Sequence, residues 1–364
     1  MIPVMDMFLI GAGACVPLGL STTQGFMTSF NPSPDTRLLF DVLLAQLADN
    51  DKSRLDIERI FFVLENLIKN HKTYINTATL FEETYRKKMG DSTSPEMKSG
   101  FDSKRNYSAS AKYFLGDLYS MAIVLDRELK RFLWDSLKHD RQKAFELFSG
   151  LFSPLLQRQD SLTIFTTNYD LVLESVFEDV NRESGLKKHW EDLGIHEIYN
   201  GFECRGSSLV HTRNLDANRP AAHEVGYFKL HGSLTWDFHD GVCITGAPRM
   251  PEDLNGPALI YPGYKGIPVD HPFSDLHRHF FNRLAVHKRL ISIGFAYRDE
   301  LINSLIATSL TLRPKLQVHA ICPEFPEDSN FPMLARQFPE QVFHHREKFG
   351  EKDLLALIPP PPAE

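Results

Sequence analysis

The chain has 364 residues, 42% of them hydrophobic and 24% charged, with 40 Lys and Arg against 47 Asp and Glu and a formal net charge of −7. Such a chain can bury a large core without disulfides or structural metals, and it lacks the broad cationic surface that neutralises nucleic-acid phosphates, so no direct nucleic-acid binding is expected. The cysteines Cys15, Cys204, Cys243 and Cys322 are scattered with no CxxC pair, which excludes a zinc knuckle or a disulfide framework and suits a reducing cytoplasm.

The apolar start, from Met1 to Leu20, has no Lys or Arg ahead of it and carries Asp6 and three glycines, so it does not read as a signal peptide. No other stretch approaches the length of a membrane span. Within that start, Met7-Phe8-Leu9-Ile10 is a short apolar run ending at Gly11-Ala12-Gly13, which predicts a buried strand, a glycine turn and then a helix.

Residues 37–157 change to helical spacing and are expected to form a helical insertion. Leu55, Ile57, Ile60, Phe61, Leu64, Leu67 and Ile68 recur at three- and four-residue steps, and the same pattern runs from Tyr113 to Leu137 and from Ala144 to Leu156. Arg86 to Lys112 is poor in large apolar residues and reads as a mobile loop. The aromatics Phe61, Phe62, Phe114, Phe132 and Trp134 suit the core of this insertion, or alternatively an oligomer surface.

Residues 1–36 and 158–358 are expected to form one α/β domain. Strands are predicted at Leu162–Phe165, Tyr227–Leu230, Ala258–Tyr261, Leu290–Ile293 and Gln317–Ile321, with helices at Leu171–Val180, Phe273–Lys288 and Asp299–Leu312. Alternation of this kind implies a Rossmann-like parallel sheet with helices on both faces. Pro359 to Pro362 form a stiff tail.

Four clusters carry candidate chemistry. Glycines after a strand let backbone approach a pyrophosphate, yet Gly11-Ala12-Gly13 serves equally as a plain tight turn. The sixth place of the dinucleotide fingerprint is Val16, and no convincing ribose-binding acid lies about twenty residues on, which weakens an ordinary dehydrogenase reading. Thr166-Thr167-Asn168-Tyr169-Asp170 follows a predicted strand, where ligands bind in a wound sheet; Asn168 or Asp170 could also cap the following helix. Lys229-Leu230-His231-Gly232-Ser233 places a histidine, the side chain best suited to act as a base near neutral pH, at another strand end. Ile293-Gly294-Phe295-Ala296-Tyr297-Arg298-Asp299 is a further strand, glycine and helix start. His277, His279, His287, His344 and His345 have no companion ligand at a compelling spacing and read as surface or helix-packing residues.

In this order the four phrases resemble the sirtuin (SIR2) family, most closely the NAD-cleaving domains of bacterial anti-phage defence systems. The resemblance spans about Phe8 to Glu324 and rests on the short motifs. It implies a phosphate-cradling turn at Gly11, Ala12 and Gly13, with Cys15 where sirtuins carry a small hydroxyl residue. It further implies that Asn168 holds the ribose and positions the attacking group, that Asp170 recognises the nicotinamide amide, and that His231 is the catalytic histidine. Gly294 matches the later phosphate and ribose loop, with Phe295 and Ala296 in place of hydroxyl residues. Thr167 stands where deacetylase sirtuins carry a glutamine.

Deacetylase sirtuins also share a four-cysteine zinc module, which these cysteines cannot supply. No zinc is therefore expected, and acetyl-lysine is a poor candidate co-substrate. The resemblance implies hydrolysis of NAD+ to nicotinamide and ADP-ribose by a cytoplasmic, homo-oligomeric defence effector, with a HerA-type hexameric ATPase as partner. Alternative readings are a non-catalytic subunit that binds NAD or ADP-ribose, and a protein deacylase or ADP-ribosyltransferase.

Overall fold

The computed structural model describes residues 6–22, 25–26, 29–51, 57–90, 95–157, 161–177, 190, 192–193, 197–205, 208–212, 215, 224–246, 259, 268, 270–351 and 354. The chain divides into two compact units, Ser29–Phe132 and Met1–Thr28 with Leu133–Glu364.

The larger unit is built on a seven-stranded sheet in the order β11-β10-β9-β1-β2-β6-β3. Its members are β1 (Asp6–Ile10), β2 (Ser161–Thr166), β3 (Glu197–Tyr199), β6 (Glu224–Lys229), β9 (Arg289–Ile293), β10 (Gln317–Ile321) and β11 (Val342–His345). Every pairing in it is parallel. Strands covered on both faces read as near-continuous apolar runs, which is why β1, β2, β9 and β10, interrupted only by Thr163, Ser292 and His319, are conspicuous in the sequence. Successive side chains of β1 go to opposite faces. Phe8 and Ile10 join Leu162, Ile164, Ile291 and Ile293 in one core, with Phe148 and Phe152 of the helix Arg141–Leu156 and Val172 and Val176 of the helix Val172–Phe177. Met7 and Leu9 join Phe165, Phe228 and Leu290 in the other, against Phe273–Leu284, Glu300–Leu312 and Phe331–Gln337. The expected arrangement, a parallel sheet with helices on both faces, is thus present.

At the N-terminal end of the central pair, Asp6 and Arg289 face each other in register and form a two-pronged buried ion pair, with both N–O distances 2.6 Å. Arg suits this place because its planar fork matches a carboxylate.

A second, antiparallel sheet was not anticipated from the sequence. It runs β4-β5-β8-β7, from β4 (Phe202–Arg205), β5 (Ser208–His211), β7 (Trp236–His239) and β8 (Val242–Thr245). Its strands are four residues each, too short for an alternating pattern to stand out. Asp240 and Gly241, with φ of 50° and 77°, turn the β7–β8 hairpin, and this Asp-Gly pair is the signal that marks it. Of the strand predicted at Ala258–Tyr261, only Leu259 lies within the described residues, where it forms an isolated bridge with Gly232. Residues 178–180 of the helix predicted at Leu171–Val180 and the tail Pro359–Pro362 lie outside them. His344 and His345 lie on the strand β11, from which the His344 ring packs against Phe331 of the helix Phe331–Gln337 at 5.5 Å, in keeping with a helix-packing role.

In the smaller unit, helices Pro34–Asp51 and Ile57–Gly90 are followed by Pro95–Ser136. Most of the stretch expected as a loop, Arg86 to Lys112, is therefore helical, with residues 91–94 outside the described set. Phe61, Leu64, Leu125 and Leu129 are buried here, and Phe30 packs edge-on against Phe40 and Phe132 at 5.1 and 5.3 Å. Helix Arg141–Leu156, within the segment 37–157, packs instead on the parallel sheet and is capped by Asp140, which accepts from the Gln142 and Lys143 amides.

Candidate functional site

In the main sheet β1 has β2 on one side and β9 on the other, so strand order reverses there. Ligand sites of open α/β sheets lie at such a reversal, beyond the strand C-termini. Four neighbouring strands, β9, β1, β2 and β6, end there in Gly294, Gly11, Thr167-Asn168 and Leu230-His231 respectively.

The two glycine turns interlock. Gly11 donates its amide to the Ile293 carbonyl and Gly13 to the Gly294 carbonyl, each at 2.9 Å. The turn continues as a 3₁₀ segment, Ala12–Leu18, ended by Gly19 in the left-handed region. Gly294, with φ of 62°, donates to the Ile321 carbonyl of β10. The first task of Gly11 and Gly13 is therefore to let two strand ends touch.

Beside this contact, Thr166 accepts the Asn168 amide on its hydroxyl and donates that hydroxyl to the Ile10 carbonyl, at 3.0 and 2.9 Å. Thr167 also donates its amide to Ile10 O. The Asn168 side chain is thereby held over the end of β1, where Nδ2 donates to Cys15 Sγ at 3.3 Å. Its Oδ1 is buried with no hydrogen-bond partner among the described residues. Burial, and then the Asp170 carboxylate, push the Cys15 thiol well up, so Cys15 stays protonated beside Asn168. Asp170 itself accepts the Val172 amide on Oδ1 and so caps the short helix that follows.

Lys229 ties the β2 and β6 ends together. Its ammonium, 2% exposed, reaches the Asp170 carbonyl, Glu174 Oε1 at 2.7 Å and Ser233 Oγ at 3.1 Å. Ser233 also donates to Glu174 Oε1. Buried charges persist only when paired and hydrogen-bonded; here the ammonium and Glu174 Oε1 are both, while Glu174 Oε2 is buried with no hydrogen-bond partner among the described residues. Sequence reasoning assigned neither Lys229 nor Glu174 a part, although a lysine closing the apolar strand Tyr227-Phe228 was the available signal.

Gly232, with φ of 93°, turns the chain after His231. The His231 ring is 3% exposed; its Nε2 lies 2.8 Å from Asp299 Oδ2, and its Nδ1 has no hydrogen-bond partner among the described residues. Asp299 Oδ1 accepts the Ile302 amide at the start of helix Glu300–Leu312. Burial raises the Asp299 carboxyl, but the hydrogen bond and charge of His231 and the Ile302 amide outweigh it and hold the acid below the usual carboxylate range. The preceding Tyr297 adopts φ of 56°, unusual for a bulky residue. It is locked by a 2.6 Å contact between its hydroxyl and Ser292, and its carbonyl accepts from Asn303 and Asn330. Phe295 is buried against its ring, at 4.8 Å. Asp299 is the site residue that sequence reasoning quoted without giving it a role.

The His277 ring stacks near His231, with centroids 6.3 Å apart, and its Nδ1 pairs with the Phe273 carbonyl. Burial and the neighbouring His231 push His277 down to about 4, so it stays neutral there. Burial likewise lowers His287 to about 4 and, with His271 beside it, His211 to about 3. These histidines pack inside the molecule. The unfolded chain takes up protons at each from about pH 6.5 downward, whereas the folded protein refuses them until the lower values. Stability is therefore expected to fall as pH drops from about 6.5 to 4, by about 1.4 kcal/mol per pH unit for each such histidine. Urea midpoints at pH 7, 6 and 5 check this; an unchanged or rising midpoint on acidification contradicts it.

Among the described residues no group of three or more His, Cys, Asp or Glu side chains is placed to hold a metal ion, and no described helix is long and apolar enough to cross a membrane. The sequence comparison with family models gives the site a context. Residues 162–337 match the SIR2-like domain model. The SIR2-like match takes in Asn168, Asp170, His231, Gly294 and Asp299, and begins after the Gly11–Gly13 turn. Among solved structures the chain is similar to a Sir2 homologue in complex with NAD, at 13% identity and a TM-score of 0.45 over 98% of this chain and 89% of that one. It is also similar to a mutant Sir2 homologue in complex with ADP-ribose, at 13% identity and a TM-score of 0.44 over 98% and 92%. The search of curated proteins finds no match.

Proposed function

We propose that the chain hydrolyses NAD+ to nicotinamide and ADP-ribose. The observation that carries this reading is the pair of buried polar atoms without partners among the described residues, Asn168 Oδ1 and His231 Nδ1, on adjacent strand ends within the segment that matches a SIR2-like domain and beside the Gly11–Gly13 and Gly294 turns. A buried polar group without a partner costs stability, and a polar substrate that supplied the partners would recover that cost. Gly11, Ala12, Gly13, Cys15, Thr167, Asp170, Gly294 and Phe295 form the surroundings that would receive it.

Nicotinamide in NAD+ is a cationic leaving group, so its departure needs no proton donor on nitrogen. The demand falls on an oxocarbenium-like ribose and on the incoming water. Asn168 orients the ribose and that water, Asp170 holds the carboxamide, and His231 takes a proton from the water or from a ribose hydroxyl. The C–N bond breaks with its electrons going to the nicotinamide ring, the C–O bond to water forms, and the water's proton leaves through the imidazole.

An unregulated enzyme of this kind would drain the cell of NAD+, so we further propose a cytoplasmic, oligomeric defence effector controlled by a HerA-type ATPase. The test is incubation of the purified chain with NAD+, alone and with such an ATPase. Release of nicotinamide and ADP-ribose in equal amounts supports the proposal. NAD+ that is bound but intact in both assemblies overturns it in favour of a binding subunit.

A further inference from the structure

The two oxygens of Asp299 do different jobs, one accepting the amide of Ile302 at 2.9 Å and the other facing His231 Nε2 at 2.8 Å. From this division of labour we infer that Asp299 is a positioning residue that fixes His231 as the Nε2–H tautomer, leaving the Nδ1 lone pair as the working base. The inference rests on the hydrolase reading for its kinetic consequence but not for its structural one.

An ionised carboxylate can only accept hydrogen bonds. His231 and the helix amide hold the Asp299 acid below the usual carboxylate range, so it is ionised at neutral pH. Between that anion and Nε2 only one proton position is available, on Nε2. A neutral imidazole carries one N–H, so Nδ1 is then the lone pair, and Nδ1 is buried with no hydrogen-bond partner among the described residues. When Nδ1 takes a proton from the attacking water or from a ribose hydroxyl, an O–H bond breaks, an N–H bond forms, and the new positive charge lies against the Asp299 anion. The ring stacked nearby, His277, remains neutral and adds no opposing charge.

The backbone aims the carboxylate. Tyr297, in the left-handed region, redirects the chain two residues before Asp299, and a bulky residue persists there only where its surroundings over-determine it. The Ser292, Asn303 and Asn330 contacts do so. Strain at this point is explained if the direction of Asp299 matters.

The discriminating variant is Asp299→Asn. Asparagine caps helices as well as aspartate, and the Ile302 amide claims its single side-chain oxygen. Its NH₂ then faces Nε2, which must become the acceptor, so the proton moves to Nδ1. The helix survives and the base is blocked. Nitrogen-15 spectra of selectively labelled protein, with His231→Gln for assignment, read the tautomer without any substrate. The expected result is pyrrole-like Nε2 and pyridine-like Nδ1 in the wild type, reversed in Asp299→Asn. Kinetically, kcat for NAD+ should fall about 10³–10⁴-fold, as when a histidine base is held in its wrong tautomer, with KM little changed and partial recovery in Asp299→Glu. A wild type already protonated on Nδ1, or a reversed tautomer with undiminished kcat, overturns the inference. A wild type with the expected tautomer and no NAD+ turnover overturns only the hydrolase reading.

Discussion

Replacing His231 by glutamine is expected to slow NAD+ cleavage by about 10²–10⁴-fold, the usual contribution of a positioned base. Glutamine is the better replacement because its amide can still donate to Asp299 Oδ2. The alanine variant would leave a buried carboxylate, 9% exposed, with the Ile302 amide as its one remaining hydrogen-bond partner among the described residues. That loss is expected to cost about 1–3 kcal/mol of stability in addition to activity, measurable as a lower urea midpoint. The comparison separates chemistry from folding: both variants lose kcat, and the alanine variant alone loses substantial stability. Asn168→Ala should lose activity by the same order, because Asn168 Oδ1 has no hydrogen-bond partner among the described residues and is left for the substrate. Wild-type turnover by any of these variants excludes the assigned roles.

What the sequence revealed follows from where its signals arise. The strands β1, β2, β9 and β10 are buried on both faces, so apolar residues fill both alternating sets of positions, without a break in β1 and around the single small or ring residues Thr163, Ser292 and His319 in the others. Parallel alternation with helices then places Asn168, His231 and Gly294 at one edge of one sheet. The antiparallel sheet β4-β5-β8-β7 was illegible because each strand offers four residues, with His211 and Cys243 among the buried ones. Asp299 escaped notice for another reason. It lies 68 residues from His231, and an acid just before an apolar helix is already explained as a cap. Nothing local distinguishes a cap with one job from a cap with two. The turn Gly11-Ala12-Gly13 shows the converse, where a familiar motif has a second cause. Its glycines are required by the neighbouring strand end whether or not a phosphate binds.

That cause can be tested at Gly294. A methyl group there would sit 2.1 Å from the Ala14 nitrogen and 2.4 Å from the Gly13 carbonyl carbon. These are backbone atoms, which cannot swing aside as the tip of a side chain can. Gly294→Ala must therefore part the two turns, break the Gly13 amide to Gly294 carbonyl bond, and still hold φ near 62°. Gly19→Ala supplies the control, because Gly19 has φ of 83° but nothing within 4 Å of the added methyl. The control bears only the conformational cost, about 1–2 kcal/mol. Gly294→Ala bears that cost together with overpacking of about 1–3 kcal/mol, so its unfolding midpoint should fall well below that of Gly19→Ala. Because the displaced turn also carries Cys15, the anchor of Asn168, NAD+ turnover should fall with it while Gly19→Ala retains it. Equal losses of stability in the two variants would mean that backbone conformation alone demands the glycine, and that the contact between the β1 and β9 ends does not hold the site in place.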